Sequence, residues 1–307
     1  MNYHLTLTLE DQVVKLHIMD NYDMSKIFIW ANSDLDGACS TVLLGNIFPN
    51  MDYKSVFFGD FLTQYSNWVD DNLDNYDKVF VVGMVLDQSL INKIDDSKVV
   101  FISDRGEKLN TFDSTLISEE CSSCSKLIYK KFKDKVEIST EIKTLVAYVD
   151  DYNKYTLKYS ESEYLNALYR KTKYNRFAEF VKRFWNGYDG FTNQELEQAE
   201  QFFKEIDYEV SNLDVYVGNF KSWSVLAVFS KLSVNEISKK LMDIHDHDVI
   251  IVVHPDTKFV SFRKPLNSKA DIVFMSENLC NGGGGEWAAG GHVTEKFLEF
   301  TTKMLQL

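Results

Sequence analysis

Four acidic stretches follow apolar runs in this chain. Asp34 and Asp36 lie in "NSDLDGACS", Asp87 closes "KVFVVGMVLD", Asp104 sits in "FISDRGE", and Asp150 and Asp151 follow "TLVAYV". One aspartate after a strand is ordinary turn chemistry. Several converging on one edge repel one another unless divalent cations neutralise them. All-oxygen ligation selects a hard ion, Mg²⁺ or Mn²⁺, over Zn²⁺. "DLDG" also admits a phosphoryl-accepting nucleophile, or simply an acidic loop that caps a helix.

The elements that must carry these residues can be read from hydrophobic runs. "SKIFIWA", "KVFVVGMVL" (Lys78 to Leu86) and "SKVVFIS" (Ser97 to Ser103) read as buried strands, with a helix from about Gly37 to Ile47. Such runs between helical patterns predict a mostly parallel, doubly wound α/β sheet. In sheets of that kind, ligands bind beyond the carboxyl ends of the strands. Whether the run before Asp150 is strand or helix stays open. From Tyr152 to Glu209 the pattern is helical and charged, with Thr192 and Glu195 spaced as a capping box. A smaller α/β domain begins near Leu213, with "SWSVLAVFS", "HDVIIVVHP" and "TKFVSFRKP" as strands and "SVNEISKKLMDIH" as a helix. Four consecutive glycines, Gly282 to Gly285, precede Glu286 and a small-residue run that reads as a helix start, a loop whose backbone N–H groups can approach a phosphate. The expected division is 1–190, a helical connector 191–212, and 213–307.

The bulk numbers narrow the function. The 307 residues are 45% hydrophobic and 26% charged, an ordinary globular balance. The formal charge of −13 argues against a surface that grips long duplex nucleic acid, while leaving room for a small anionic substrate. One basic segment runs against the trend, with Arg170, Lys171, Lys173, Arg176, Lys182 and Arg183; it reads as the solvated face of a helix, or more sharply as a phosphate-steering rim. No apolar run is long enough to span a membrane and no signal-peptide layout opens the chain, so a cytoplasmic protein is expected. Cys121 and Cys124 form a C-x-x-C pair without a second pair to complete a zinc site, and core filling in a reducing compartment is the expectation.

Taken in order, these motifs resemble the DHH phosphoesterase superfamily, from roughly Lys26 to Thr302. "NSDLDGACS" is similar to the first motif, His-x-Asp-x-Asp-Gly-x-x-Ser; Asp87 matches the lone Asp of the second. "FISDRGE" stands where the family has Asp-His-His, and Asp150 or Asp151 matches the fourth-motif Asp. "SVNEISKKL", "VSFRKP" and "GGGGEWAAGG" resemble the DHH-associated C-terminal domain. The resemblance implies an active cleft between two domains and hydrolysis of a short single-stranded oligonucleotide or a small, including cyclic, dinucleotide. It implies metal ligands among Asn32, Asp34, Asp36, Asp87, Asp150 and Asp151, with Asp87 bridging. Asp87, Asp104 and Arg105 would carry the chemistry. Arg263, Gly282, Gly283, Gly284, Gly285 and Glu286 would hold substrate.

The departures are equally specific. Asn32 replaces the first-motif His, Arg105 and Gly106 replace those of the third, and Gly285 stands at the C-terminal loop His. In the family two ions share the aspartates, and His supplies a ligand to each. Their loss predicts weaker transition-metal binding, with one Mg²⁺- or Mn²⁺-type ion rather than two, or none. The main rival to a hydrolase is therefore a DHH-fold protein that binds or sequesters nucleotides or positions a partner. A haloacid-dehalogenase-type phosphatase fits poorly, because Asn32 and Ser33 separate Asp34 from the strand and the glycine loop would be unexplained.

Overall fold

The computed structural model describes residues 25–172 and 174–305. The chain divides into two compact units, residues 1–199 and 200–307.

The first unit is built on a five-stranded, all-parallel sheet. Its strands are β1 (Ile27–Asn32), β2 (Met51–Val56), β3 (Lys78–Val82), β4 (Val99–Ser103) and β5 (Thr115–Ser118), in the order β2-β1-β3-β4-β5. The central strands are apolar without interruption because both faces are covered. Alternate residues serve opposite layers: Ile29, Phe80, Val82, Val100 and Ile102 join one core, while Phe28, Trp30, Val81 and Phe101 join the other.

The first face carries α1 (Leu35–Ile47) as its central helix. Every residue of α1 except Asn46 is buried, as expected of a helix apolar all round. Around it lie α4 (Cys124–Phe132), α5 (Thr140–Lys154), α6 (Ser160–Lys171) and α7 (Arg176–Arg183). The opposite face is covered by α2 (Phe58–Asn72) and α3 (Gln88–Ile94), where Phe28, Trp30, Tyr65 and Trp68 pack as an aromatic cluster. This strand order reverses direction between β1 and β3, so the crevice beyond their carboxyl ends is where such a sheet places a ligand.

The helix α8 (Asn193–Asn212) runs through the boundary at 199 and 200, so the predicted connector is a continuous helix. The second unit holds a six-stranded mixed sheet, order β10-β11-β9-β8-β7-β6. Its strands are β6 (Tyr216–Phe220), β7 (Trp223–Phe229), β8 (Val249–His254), β9 (Phe259–Arg263), β10 (Gly283–Gly284) and β11 (Ala288–His292). Only the β7–β8 pair is parallel. Its helices are α9 (Val234–Ile244), α10 (Ile272–Cys280) and α11 (Glu295–Leu305).

Three expectations need correction. β3 ends at Val82, four residues before the predicted Leu86, because Gly83 turns into the left-handed region at φ +70°. The run before Asp150 is helix α5. The small residues after the four glycines form strand β11, pairing with β9 and β10, and not a helix start.

Candidate metal centre

Asn32 closes β1, and Asp34 then caps α1: its Oδ1 accepts from the Gly37 N–H at 2.7 Å, and its Oδ2 from Asn32 Nδ2. Gly37 is required here, since a Cβ would lie 2.0 Å from the Asn32 carbonyl oxygen. Asp34 keeps solvent access at its edge, yet crowding by protein atoms pushes its carboxyl above the ordinary range. The nearby Asp104 charge adds to that rise, and Arg170 opposes it.

Asp36 lies two residues further, inside α1 and facing the start of α4. Its Oδ2 accepts from Cys124 N at 2.8 Å, and its Oδ1 accepts from Ser125 N at 3.1 Å and Ser125 Oγ at 2.6 Å. A carboxylate at a helix N-terminus meets unpaired N–H groups and the positive end of the dipole. Burial nevertheless dominates and pushes Asp36 up to about 7, with the Asp34 and Asp104 charges in support. Asp104 follows β4 directly and is raised by burial; the Cys124 thiol lies close to it, and the Arg105 charge opposes the rise.

Ligating atoms of Asp36, Asp104 and Cys124 all fall within 4.8 Å of one another, at the carboxyl edge of the sheet. Of the sequence-predicted ligands this group contains Asp36; Asp104 had been assigned to catalysis. Cys124 is fully buried, and its pKa lies well above that of a free thiol because of burial and of the two carboxylates.

The remaining predicted residues lie elsewhere. Asp87 is exposed and caps α3, accepting from Leu90 N at 2.7 Å. The residue after β3 that comes against Asn32 is Gly83, whose Cβ would stand 3.5 Å from the Asn32 Cβ. Asp151 turns to the start of α6, accepting from Thr156 Oγ1 (2.6 Å), Lys158 N (3.1 Å), Tyr159 N (3.2 Å) and Ser162 Oγ (2.7 Å); those donors hold its carboxyl below the usual range. Asp150 faces α4, accepting from Ser122 Oγ, Ser123 Oγ at 2.9 Å and Lys126 Nζ at 2.5 Å. Among the described residues, Asp36, Asp104 and Cys124 are the side chains whose donor atoms could converge on one cation, and Asp87, Asp150 and Asp151 lie outside that group.

In the second unit Gly282 and Gly284 are set by packing. A Cβ would meet the Gly290 carbonyl oxygen at 2.1 Å or Ala289 Cα at 2.4 Å. Gly283 and Gly285 face open space. Arg263, in register with Ala288 of this hairpin, is held by Asn235 Oδ1 at 3.0 Å. Glu286 is exposed, with its carboxylate 3.9 Å from Lys264 Nζ.

The sequence reading assigns Cys124 to core filling, and it is buried in the core beside the two carboxylates, while Tyr169 is not singled out in it. Tyr169 is buried on α6 with its hydroxyl next to Ser33 and its ring under the Arg176 guanidinium. The signal for Cys124 was present: the serine-rich run "SSCSK" reads as a helix start, and a helix start is what a buried carboxylate seeks.

No protein-family model matches this chain, and no curated protein matches it in sequence. Solved structures do match in fold. An exopolyphosphatase-related protein from Bacteroides fragilis superposes with a TM-score of 0.53 over 98% of each chain, at 13% identity. The pGpG-specific phosphodiesterase PggH of Vibrio cholerae gives 0.53 over 91% of this chain and 97% of its own, at 12% identity. RecJ of Thermus thermophilus, solved with Mn²⁺, gives 0.56 over 97% of this chain but 53% of RecJ, at 9% identity. The fold is that of the DHH phosphoesterase superfamily.

Proposed function

We propose that this protein is a one-cation phosphoesterase that cleaves a short single-stranded oligonucleotide or a small, including cyclic, dinucleotide. One observation carries the reading: the convergence of Asp36, Asp104 and Cys124 within 4.8 Å, in a fold whose β1/β3 crevice binds ligands. These three side chains would hold a divalent ion, Mn²⁺ or Mg²⁺ being the first to try, with Asp34 at its rim. Such an ion supplies Lewis-acid polarisation of a phosphoryl group and a more acidic water. The chain's own part is placement and charge. The α4 N-terminus fixes Asp36, and the Arg105 and Arg170 charges favour the ionised forms of Asp104 and Asp34. In the second unit, Gly283 and Gly285 leave backbone exposed to a phosphate, and Arg263 supplies a positioned cation. Among the described residues no helix is long and apolar enough to cross a membrane, which leaves the proposed cytoplasmic setting open to direct localisation.

The test is release of mononucleotide from a linear oligonucleotide of two to five residues, with Mn²⁺ or Mg²⁺ and with chelator. Turnover that requires the ion and disappears in Asp104→Asn supports the reading. A second reading, a nucleotide-binding or partner-positioning module, is favoured by the engagement of Asp36 and Asp150 with protein donors. Tight dinucleotide binding that ignores chelator, without turnover, decides for it.

A further inference from the structure

We propose that the ammonium of Lys126 occupies the role of a second metal ion beside Asp150, so that the protein holds no more than one cation at this site. The inference depends on the fold and on where the carboxylates sit; it does not depend on hydrolysis.

Lys126 is the third residue of α4, in the turn where the helix dipole is positive and a cation is unfavourable. Something must offset that placement. Asp150 does so: its Oδ2 lies 2.5 Å from Lys126 Nζ, which also donates to Ser122 Oγ at 3.2 Å. The other oxygen of Asp150 accepts from Ser122 Oγ and from Ser123 Oγ at 2.9 Å. The side chain of Asp150 is 13% exposed, so this is a largely desolvated carboxylate whose positive partner is covalently part of the chain. A bond of this kind is expensive to break from one side only.

The space between the two carboxylates is occupied as well. Ser123 Oγ contacts Ser125 Oγ at 3.4 Å, and Ser125 Oγ donates to Asp36 Oδ1 at 2.6 Å. Hydroxyls, amides and an ammonium thus line the path from Asp150 to Asp36 where a shared ion would have to sit. Three donors on Asp36 leave its carboxylate one free lone-pair direction, enough for a single monodentate bond. Positive charge from Arg105 and Arg170 also favours the ionised forms of Asp104 and Asp34.

The experiment is Mn²⁺ stoichiometry on the full chain, by calorimetric titration and by electron paramagnetic resonance of free ion. Wild type is expected to bind one ion or none, Lys126→Arg the same number, and Lys126→Met one more than wild type. Asp150→Asn is expected to keep the wild-type number. Two ions in wild type overturn the proposal, as does an unchanged count in a Lys126→Met protein that circular dichroism shows to be folded. Should Lys126→Met not fold, Asp150→Asn decides, because loss of an ion there identifies Asp150 as a metal ligand and refutes the substitution by lysine. The counts are independent of turnover: an inactive protein with the expected counts sinks the phosphoesterase reading and leaves this one standing.

Discussion

Raising the pH of the metal-free protein from about 5 to about 7.5 should destabilise it, and Asp36 should be the principal cause. Its carboxyl is raised from an ordinary 3.8 to about 7, so between those values the folded state binds a proton that the unfolded state releases. Stability tied to such a group is present at low pH and is lost as pH rises through the folded-state pKa. For one group with these two values, the loss across the stated interval is about 2.5 kcal/mol, on a scale where each unit is worth about 1.4 kcal/mol. Asp34 and Asp104 are raised as well and act in the same direction. Asp95, Asp151 and Glu195 are lowered, so they titrate below this interval and leave it undisturbed. The assay is urea unfolding in chelator at several pH values, for wild type and Asp36→Asn. Asparagine keeps the shape but does not titrate, so the variant's stability should fall less by about 2.5 kcal/mol over the same interval. Excess Mn²⁺ should abolish the wild-type slope, since an ion rewards the charged form. Equal slopes for wild type and Asp36→Asn in chelator would refute the assignment of a raised pKa to Asp36.

Other substitutions separate structural from ligating carboxylates. Asp87→Asn should leave cation binding unchanged and stability within about 0.5 kcal/mol, because Asn caps a helix as well as Asp, while Asp87→Ala should cost about 1 kcal/mol in urea unfolding. Asp151→Ala removes four hydrogen bonds at the start of α6 and should cost about 2–4 kcal/mol without altering the number of ions bound. Gly37→Ala should cost about 3 kcal/mol or fail to fold, since its Cβ would sit 2.0 Å from the Asn32 carbonyl oxygen; thermal unfolding measures this.

The scaffold is legible in the sequence wherever hydrophobic period and breaker chemistry agree. β1 and β4 are apolar runs that stop at a polar residue, and in both the aspartate follows within two residues of the strand end. β3 shows the limit. The run "KVFVVGMVL" stays apolar for four residues beyond Val82, so composition carries the strand too far. Gly83 was the available breaker, and it is also the residue that sets the chain against Asn32. The four glycines mislead for a related reason. A residue without a side chain gives no period, so the pairing of Gly284 with Ala289 cannot be anticipated from pattern.

The site is less legible because capping and metal binding make the same chemical request. Both ask a carboxylate oxygen to face concentrated positive potential, whether from helix amides, an ammonium or an ion. In sequence, Asp36, Asp87, Asp150 and Asp151 are therefore equivalent, each a carboxylate at the edge of an apolar segment. The structure separates them by their partners. Asp87 and Asp151 find helix starts within eight residues of themselves, which is local capping. Asp36 and Asp150 instead find donors on α4, 88 and 24 to 28 residues away, which only tertiary packing supplies. Capping at such a distance ties two segments together and gathers charge at one point, the condition under which a cation is also stabilised. α4 thus stands at the centre of the candidate function: its first turn brings Cys124 up to Asp36 and Asp104, and provides Ser125 as a clamp on Asp36 and Lys126 as a positive charge on Asp150. A chain that brings its own ammonium to a buried carboxylate has less need of a divalent ion there, which is what the Lys126 variants test.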